Sequence, residues 1–294
     1  VPFGEFRVGE LRAVIGDNAA DGEHRAGYNG VWSLTSRHES ENLFVPTVAG
    51  LNLEHIFDGD TSDRQLLYEP RHADMRFTRV DDNRAELHQP ATPHSGLESI
   101  TTFTLEEPHY LDMRFECMAH KDVFRHSYIG LFWASYINAP LDKSIYFRSR
   151  GRWVQLCTQR HNDESTVLPG GDADMPAFSP GYPDMLYTNR SPLTFSDPFY
   201  YGRFHGMVYL LMFDRTQGVR FSHSPSGGGD NPQAQTTNPA WDFQYIIPDY
   251  EVGRRYDLRA RLVYKPFHGR EDLLREVQQW HAEALHAPPA DLLR

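Results

Sequence analysis

Between residues 111 and 117 the chain alternates strictly: Leu111, Met113, Phe115 and Cys117 are apolar, and Asp112, Arg114 and Glu116 between them are charged. Successive side chains of a strand point to opposite faces, so this segment reads as a strand with one face buried and the other in water. The period returns near the end of the chain, where Leu258, Ala260, Leu262 and Tyr264 alternate with Asp257, Arg259 and Arg261. Two such amphipathic strands predict an antiparallel sheet with a polar outer face. Further strands are predicted at 6–15, 30–36, 74–80, 84–89, 97–105, 127–137, 144–149, 153–158, 207–214, 218–223 and 241–247.

One helix is predicted, near 270–286, where Leu273, Leu274, Val277, Trp280, His281 and Ala284 share a face after Gly269. Many strands followed by one helix predict an all-β fold, a large antiparallel β-sandwich with a C-terminal α-helix. No strand–helix alternation supports a doubly wound sheet, and no repeat supports a propeller. No compositional break resembles a linker, so residues 1–294 read as one domain. Two stretches read as long loops over one rim of the sandwich. Residues 159–203 carry six prolines from Pro169 to Pro198 with Tyr182, Tyr187, Phe195, Phe199, Tyr200 and Tyr201 among them, and 222–240 is polar and contains Gly227-Gly228-Gly229.

Composition narrows the partners. At 39% hydrophobic and 23% charged the chain can bury a core, which excludes disorder. Its longest nearly apolar run, Tyr128 to Ile137, is half of a ~20-residue membrane-spanning helix. A formal charge of −11 without a basic stripe argues against nucleic acid and anionic membranes. Cys117 and Cys157 form no C-x-x-C pattern and read as free thiols. With those two Cys and no signal-peptide pattern after Val-Pro-Phe-Gly-Glu, the expectation is a cytoplasmic location. No oligomeric state is implied. The 13% aromatic content offers flat faces for a ligand, and points to carbohydrate.

Three clusters carry candidate chemistry. In Tyr200-Tyr201-Gly202-Arg203-Phe204-His205-Gly206, alternation places Tyr201, Arg203 and His205 on one face: a stacking surface, a fixed donor and a group titrating near neutrality. The same run also reads as a half-buried strand edge. His120 and His126 flank a short connection. Their spacing is not a zinc motif, so no cofactor is expected and a divalent metal is not indicated, while His126 stands as an acid, base or hydroxyl ligand. Arg220, His223, Trp241 and Asp242 bracket the glycine triplet; indole stacks on a sugar while carboxylate, Arg and His bond its hydroxyls. Trp241 reads equally well as ordinary core. Finally, Glu54-His55 offers an acid–base pair, of which a regular strand turns only one member toward a given pocket.

The opening Gly27-Tyr28-Asn29-Gly30, the run of antiparallel strands and the closing Gly253-Arg254-Arg255-Tyr256-Asp257-Leu258-Arg259-Ala260-Arg261 resemble the galactose-mutarotase-like superfamily of β-sandwiches, over roughly residues 5–267. The resemblance implies a sugar held on a concave sheet, with His and carboxylate groups transferring protons. The Asn-His-x-Tyr-Phe-Asn-Leu segment of aldose epimerases is lacking, and no catalytic residue carries over. The expected function is a carbohydrate-active enzyme that cleaves a glycosidic linkage, as hydrolase or lyase, by His/carboxylate acid–base chemistry. An epimerase or mutarotase of the same fold and a non-catalytic glycan-binding domain are the alternatives. Catalysis is expected from His205, His126, Asp242 and Glu54, and substrate binding from Tyr201, Arg203, Arg220, His223 and Trp241. Tyr201, Arg203, His205, Arg220 and Trp241 are expected to line one pocket.

Overall fold

A computed structural model describes residues 1–60, 64–171 and 174–286. In chain order its strands are β1 (Phe3–Val8), β2 (Leu11–Gly16), β3 (Gly30–Ser36), β4 (Asn52–Phe57), β5 (Arg76–Arg79), β6 (Arg84–Gln89), β7 (Leu97–Glu106), β8 (Tyr110–Ala119), β9 (Tyr128–Ala134), β10 (Ile145–Ser149), β11 (Arg152–Leu156), β12 (Thr166–Pro169), β13 (Arg190–Phe195), β14 (Phe199–Phe204), β15 (Met207–Phe213), β16 (Val219–Ser224), β17 (Asp230–Asn231), β18 (Thr236–Thr237), β19 (Ala240–Pro248) and β20 (Arg255–Pro266). Single-turn helices α1 (Arg64–Leu67) and α2 (Glu69–His72) follow β4, and α3 (Arg270–His286) follows β20. A nine-stranded sheet runs β11-β10-β14-β15-β20-β8-β7-β6-β5, and a six-stranded sheet runs β13-β12-β16-β19-β9-β4. β1-β2-β3 form a third sheet and β17-β18 a small hairpin.

The two large sheets pack face to face, and aromatic rings join them. Phe115 of β8 meets Trp133 of β9 edge-on at 4.9 Å, Trp133 stacks on Phe243 of β19 at 4.9 Å, and Tyr200 of β14 meets Phe221 of β16 at 5.1 Å. The alternating segment at 111–117 is β8, with its apolar residues fully buried in this core and paired to β20 in antiparallel register. α3 lies on the outer face of the nine-stranded sheet, where Leu273, Val277 and Trp280 cover Tyr201, Val208, Leu210 and Val263. Arg261 binds Asp112 at 2.6 Å and Glu283 of α3 at 3.0 Å, and Lys265 binds Asp272 at 2.8 Å and also Glu276.

Three sequence expectations are corrected. The single strand at 6–15 is the β1–β2 hairpin: Gly9 turns the chain at φ +55°, where a Cβ would lie 2.5 Å from the Pro108 carbonyl oxygen. The stretch 159–203 is no single loop, because it supplies β12, β13 and β14; Pro192 is tolerated since β13 is an edge strand. The stretch 222–240 begins inside β16 and contains the β17–β18 hairpin.

The six-stranded sheet is buried on both faces: every residue of β4, β9 and β16 is enclosed. Its outer face carries a second apolar cluster that includes Tyr28, Trp32, Phe57, Phe132, Tyr136 and Tyr187. Gly130 is needed here, as a Cβ would stand 2.4 Å from the Phe57 ring.

Candidate functional site

A pocket of about 370 Å³ opens on this outer face, floored by β4, β9 and β19 and walled by Tyr28, Arg71 of α2 and the segment 185–187. Its centre is made by a β-bulge. Leu53 pairs with Trp133 and His55 with Phe132, so Glu54 is an extra residue opposite nothing. Both Glu54 and His55 therefore line the pocket, against the expectation that only one could.

Glu54 is ringed by donors. The Tyr136 hydroxyl donates to Oε2 at 2.6 Å, Asn52 Nδ2 to the same oxygen at 3.4 Å, and Arg71 Nη1 to Oε1 at 3.3 Å. Arg71 is itself placed 4.5 Å above the Tyr28 ring. His55 Nε2 lies 3.8 Å from Glu54 Oε1, and the imidazole stacks on Phe132 at 5.4 Å with Nδ1 unpartnered. Burial, with Arg71 nearby, pushes its pKa down against the pull of Glu54, so the ring is neutral near pH 7.

Asp242 lines the pocket from β19. Its Oδ1 accepts the Ser135 N–H at 3.0 Å, and Oδ2 is buried without a partner. Burial drives the carboxyl well above the usual range and the Glu54 charge pushes the same way, outweighing the Ser135 bond. The site thus pairs a carboxyl wrapped in donors with one whose burial disfavours its charge, an arrangement that separates base from acid. At the rim, Ser224 Oγ and His161 Nδ1 are 2.9 Å apart.

Of the nine residues expected at a site, Glu54 and Asp242 line this pocket. The other seven lie elsewhere. Trp241 and His223 are register partners on the opposite, core-facing side of β16 and β19: the indole N–H donates to the Lys143 carbonyl at 2.9 Å, and His223 sits between Thr158 Oγ1 and that carbonyl, both at 2.7 Å. Burial presses the His223 pKa down to about 4. Tyr201 is covered by α3 and its hydroxyl accepts from Arg270 at 2.9 Å, while Arg203 lies 4.5 Å over the Phe267 ring. His205 does not continue their face, because the strand ends at Phe204 and His205 turns with φ +51° toward Glu39, 2.9 Å away. His126 contacts Ser179 Oγ at 3.0 Å, and Arg220 reaches the Asp174 carbonyl at 2.7 Å. The single pocket expected for Tyr201, Arg203, His205, Arg220 and Trp241 is not formed, since these residues occupy different faces of two sheets.

Arg71, Tyr28, Tyr136 and His161 escaped sequence reasoning. They reach the pocket from a single-turn helix, a turn, an extension of β9 and a loop, and no spacing in the chain unites them. Among the described residues no group of three or more His, Cys, Asp or Glu side chains is disposed to hold a metal ion, and no helix is long and apolar enough to cross a membrane.

No protein-family description and no curated protein matches the chain. Solved structures do. A protein from Synechocystis sp. PCC 6803 superposes with a TM-score of 0.53 at 8% identity, over 90% of this chain and 96% of that one. An aldose epimerase homologue from C. elegans gives 0.51 at 9% identity, over 90% and 99%. A galactose mutarotase-like protein from Lactobacillus casei ATCC 334 gives 0.50 at 10% identity, over 90% and 100%. The chain has the galactose-mutarotase-like fold.

Proposed function

We propose that this protein is a carbohydrate-active enzyme that interconverts the anomers of an aldose, with Glu54 as base and Asp242 as acid. The observation that carries the reading is the pair of carboxyls, one ringed by donors and one buried with an unpartnered oxygen that disfavours its charge, in one enclosed pocket. Glu54 takes the proton of the anomeric hydroxyl as the bond from the anomeric carbon to the ring oxygen breaks, and Asp242 gives its proton to that oxygen. Rotation of the freed aldehyde and the reverse transfers close the ring on the other face. Neutral His55 and Arg71 donate to sugar hydroxyls, and Tyr28 and Tyr68 wall the ring.

A volume of about 370 Å³ suits one ring better than the run of rings a glycosidase or lyase grips, and its burial suits proton transfer better than display of a bound glycan. The fold shared with epimerase- and mutarotase-like proteins supports the same choice. Polarimetry on freshly dissolved single anomers of neutral and acidic aldoses tests it. Equilibration should be accelerated over the spontaneous rate. No acceleration across the panel would overturn the assignment, and release of reducing ends from oligosaccharides would restore the glycosidic reading.

A further inference from the structure

Beyond the pocket, along the same outer face, stands a buried cation for which the described residues supply no anion. Arg220 is 7% exposed. Its Nη2 donates to the main-chain carbonyl of Asp174, and Nη1 is enclosed with no partner. No described carboxylate forms an ion pair with it; the phenol of Tyr128 favours its charge, but burial outweighs this and presses its pKa down to about 10. Such a charge is costly to enclose unless something pairs with it.

The residue registered against Arg220 on β19 is Gln244. Its Nε2 donates to Thr166 Oγ1 at 2.9 Å and Ser222 Oγ at 2.7 Å, but its Oε1 is buried and unpartnered. An orphaned donor and an orphaned acceptor thus stand on paired residues of neighbouring strands. Buried polar atoms are nearly always satisfied, so the two together mark the place of a small polar occupant.

We propose that Arg220 and Gln244 form a subsite for a small oxyanion, the carboxylate or phosphate carried by an anionic sugar. The oxyanion accepts from Arg220, and a hydroxyl of the same ligand donates to Gln244 Oε1. The Asp174 carbonyl that Arg220 now holds is a neutral acceptor, and a bidentate anion displaces it because charge-assisted bonds are the stronger. That the anion belongs to a sugar rests on the function proposed above: Asp242, two residues before Gln244 on the same face and ~7 Å from it along the strand, lines the sugar pocket.

Thermal denaturation with inorganic phosphate at constant ionic strength is the test. A ligand at 100 times its Kd should raise Tm by roughly 5 °C or more. The chain's formal charge of −11 works against anion binding at its surface. Arg220→Met should abolish the shift while leaving Tm without phosphate unchanged or higher, since it removes an unpaired buried charge. If that variant does not fold, Gln244→Leu should weaken the phosphate response about tenfold. Absence of a shift in the unaltered protein, or an undiminished shift in a folded variant, overturns the proposal. Glucose 6-phosphate and glucuronate against glucose then separate the two sources of the anion. The one that stabilises beyond glucose names it, and no advantage for either removes the sugar from the proposal. No turnover is measured here, so phosphate binding without anomer interconversion discards the function alone, and the converse discards this subsite alone.

Discussion

β8 and β4 are both strands of the same sandwich, yet they obey opposite rules. β8 alternates buried and half-exposed residues over most of its length because its sheet meets the core on one side and water or α3 on the other. β4 is enclosed throughout, and along it an ordinary two-residue period is broken by the Glu54 bulge. Where a sheet has a wet face, sequence reports structure, since each substitution of apolar for polar would expose grease or bury charge. Where both faces are covered, the second face is free to hold polar groups that only a three-dimensional cover makes tolerable. Glu54, Asp242 and Arg220 all stand on that second face, and each is 6%, 1% and 7% exposed respectively.

The comparison is sharpest when activity and stability are set against each other. Glu54→Gln should cost about 10²- to 10⁴-fold in the rate of anomer interconversion, the usual range for a general base, with a small change in Tm. Asp242→Asn should cost as much activity. Phe115→Ala, in the core between the sheets, should do the reverse: roughly 3–5 kcal/mol of stability, read by chemical denaturation, with kcat per folded molecule nearly unchanged. If Phe115→Ala and Glu54→Gln lowered activity and stability in the same proportion, the separation of the two faces would not hold.

This division also explains what could be read from the chain. β8, β20 and α3 were legible because Phe115, Leu262 and Trp280 repeat at the period of their element with polar residues between. The stretch 159–203 misled because its prolines suggested a loop, whereas an edge position lets Pro192 sit in β13. Glu54 and Asp242 were legible as residue types near irregular chain. Their partnership with Arg71 and Tyr136 was not, since a bulge, a single-turn helix and the far end of β9 meet only after folding. His205 and Trp241 misled for a simpler reason: in a strand, one residue's shift in where the chain turns or faces reverses its surroundings.

Two carboxyls, one on α3 and one on the six-stranded sheet, should respond to pH with opposite signs. Glu276 of α3, although burial alone would raise its pKa, is held down to about 2 by His109, Lys265 and Tyr110. Its folded pKa lies below its unfolded value, so it adds stability above pH ~4.3 that is lost as pH falls toward 2. Glu276→Gln should therefore lower stability at pH 7 and flatten the acid limb between pH 4 and 2. Asp242 is raised by burial, so the unfolded chain releases its proton near pH ~3.9 while the folded chain keeps it, and stability falls as pH climbs above that point. Asp242→Asn should then be as stable as the parent near pH 3 and more stable at pH 7. Denaturation midpoints of both variants from pH 2 to 8 measure this, and a loss of stability in Asp242→Asn at pH 7 would show that the carboxyl is ionised in the folded pocket.

The smallest effect is expected at the histidine that the sequence made most attractive. His205 occupies a surface turn between β14 and β15, bonds Glu39 at 2.9 Å and stacks on Phe204 at 4.2 Å, with about a third of its side chain exposed. An exposed pair of this kind contributes ~0.2–1 kcal/mol and is screened by salt. The residue lies outside the pocket that holds Glu54 and Asp242. His205→Ala should accordingly change Tm by no more than a few degrees and leave anomer interconversion within about twofold of the parent rate. The positive φ of 51° makes His205→Gly the better control, because glycine adopts that backbone without strain and isolates the side chain's share. A hundredfold loss of activity in both variants at unchanged stability would move the chemistry to the β14–β15 turn, and with it the assignment of the doubly covered face as the working face of the molecule.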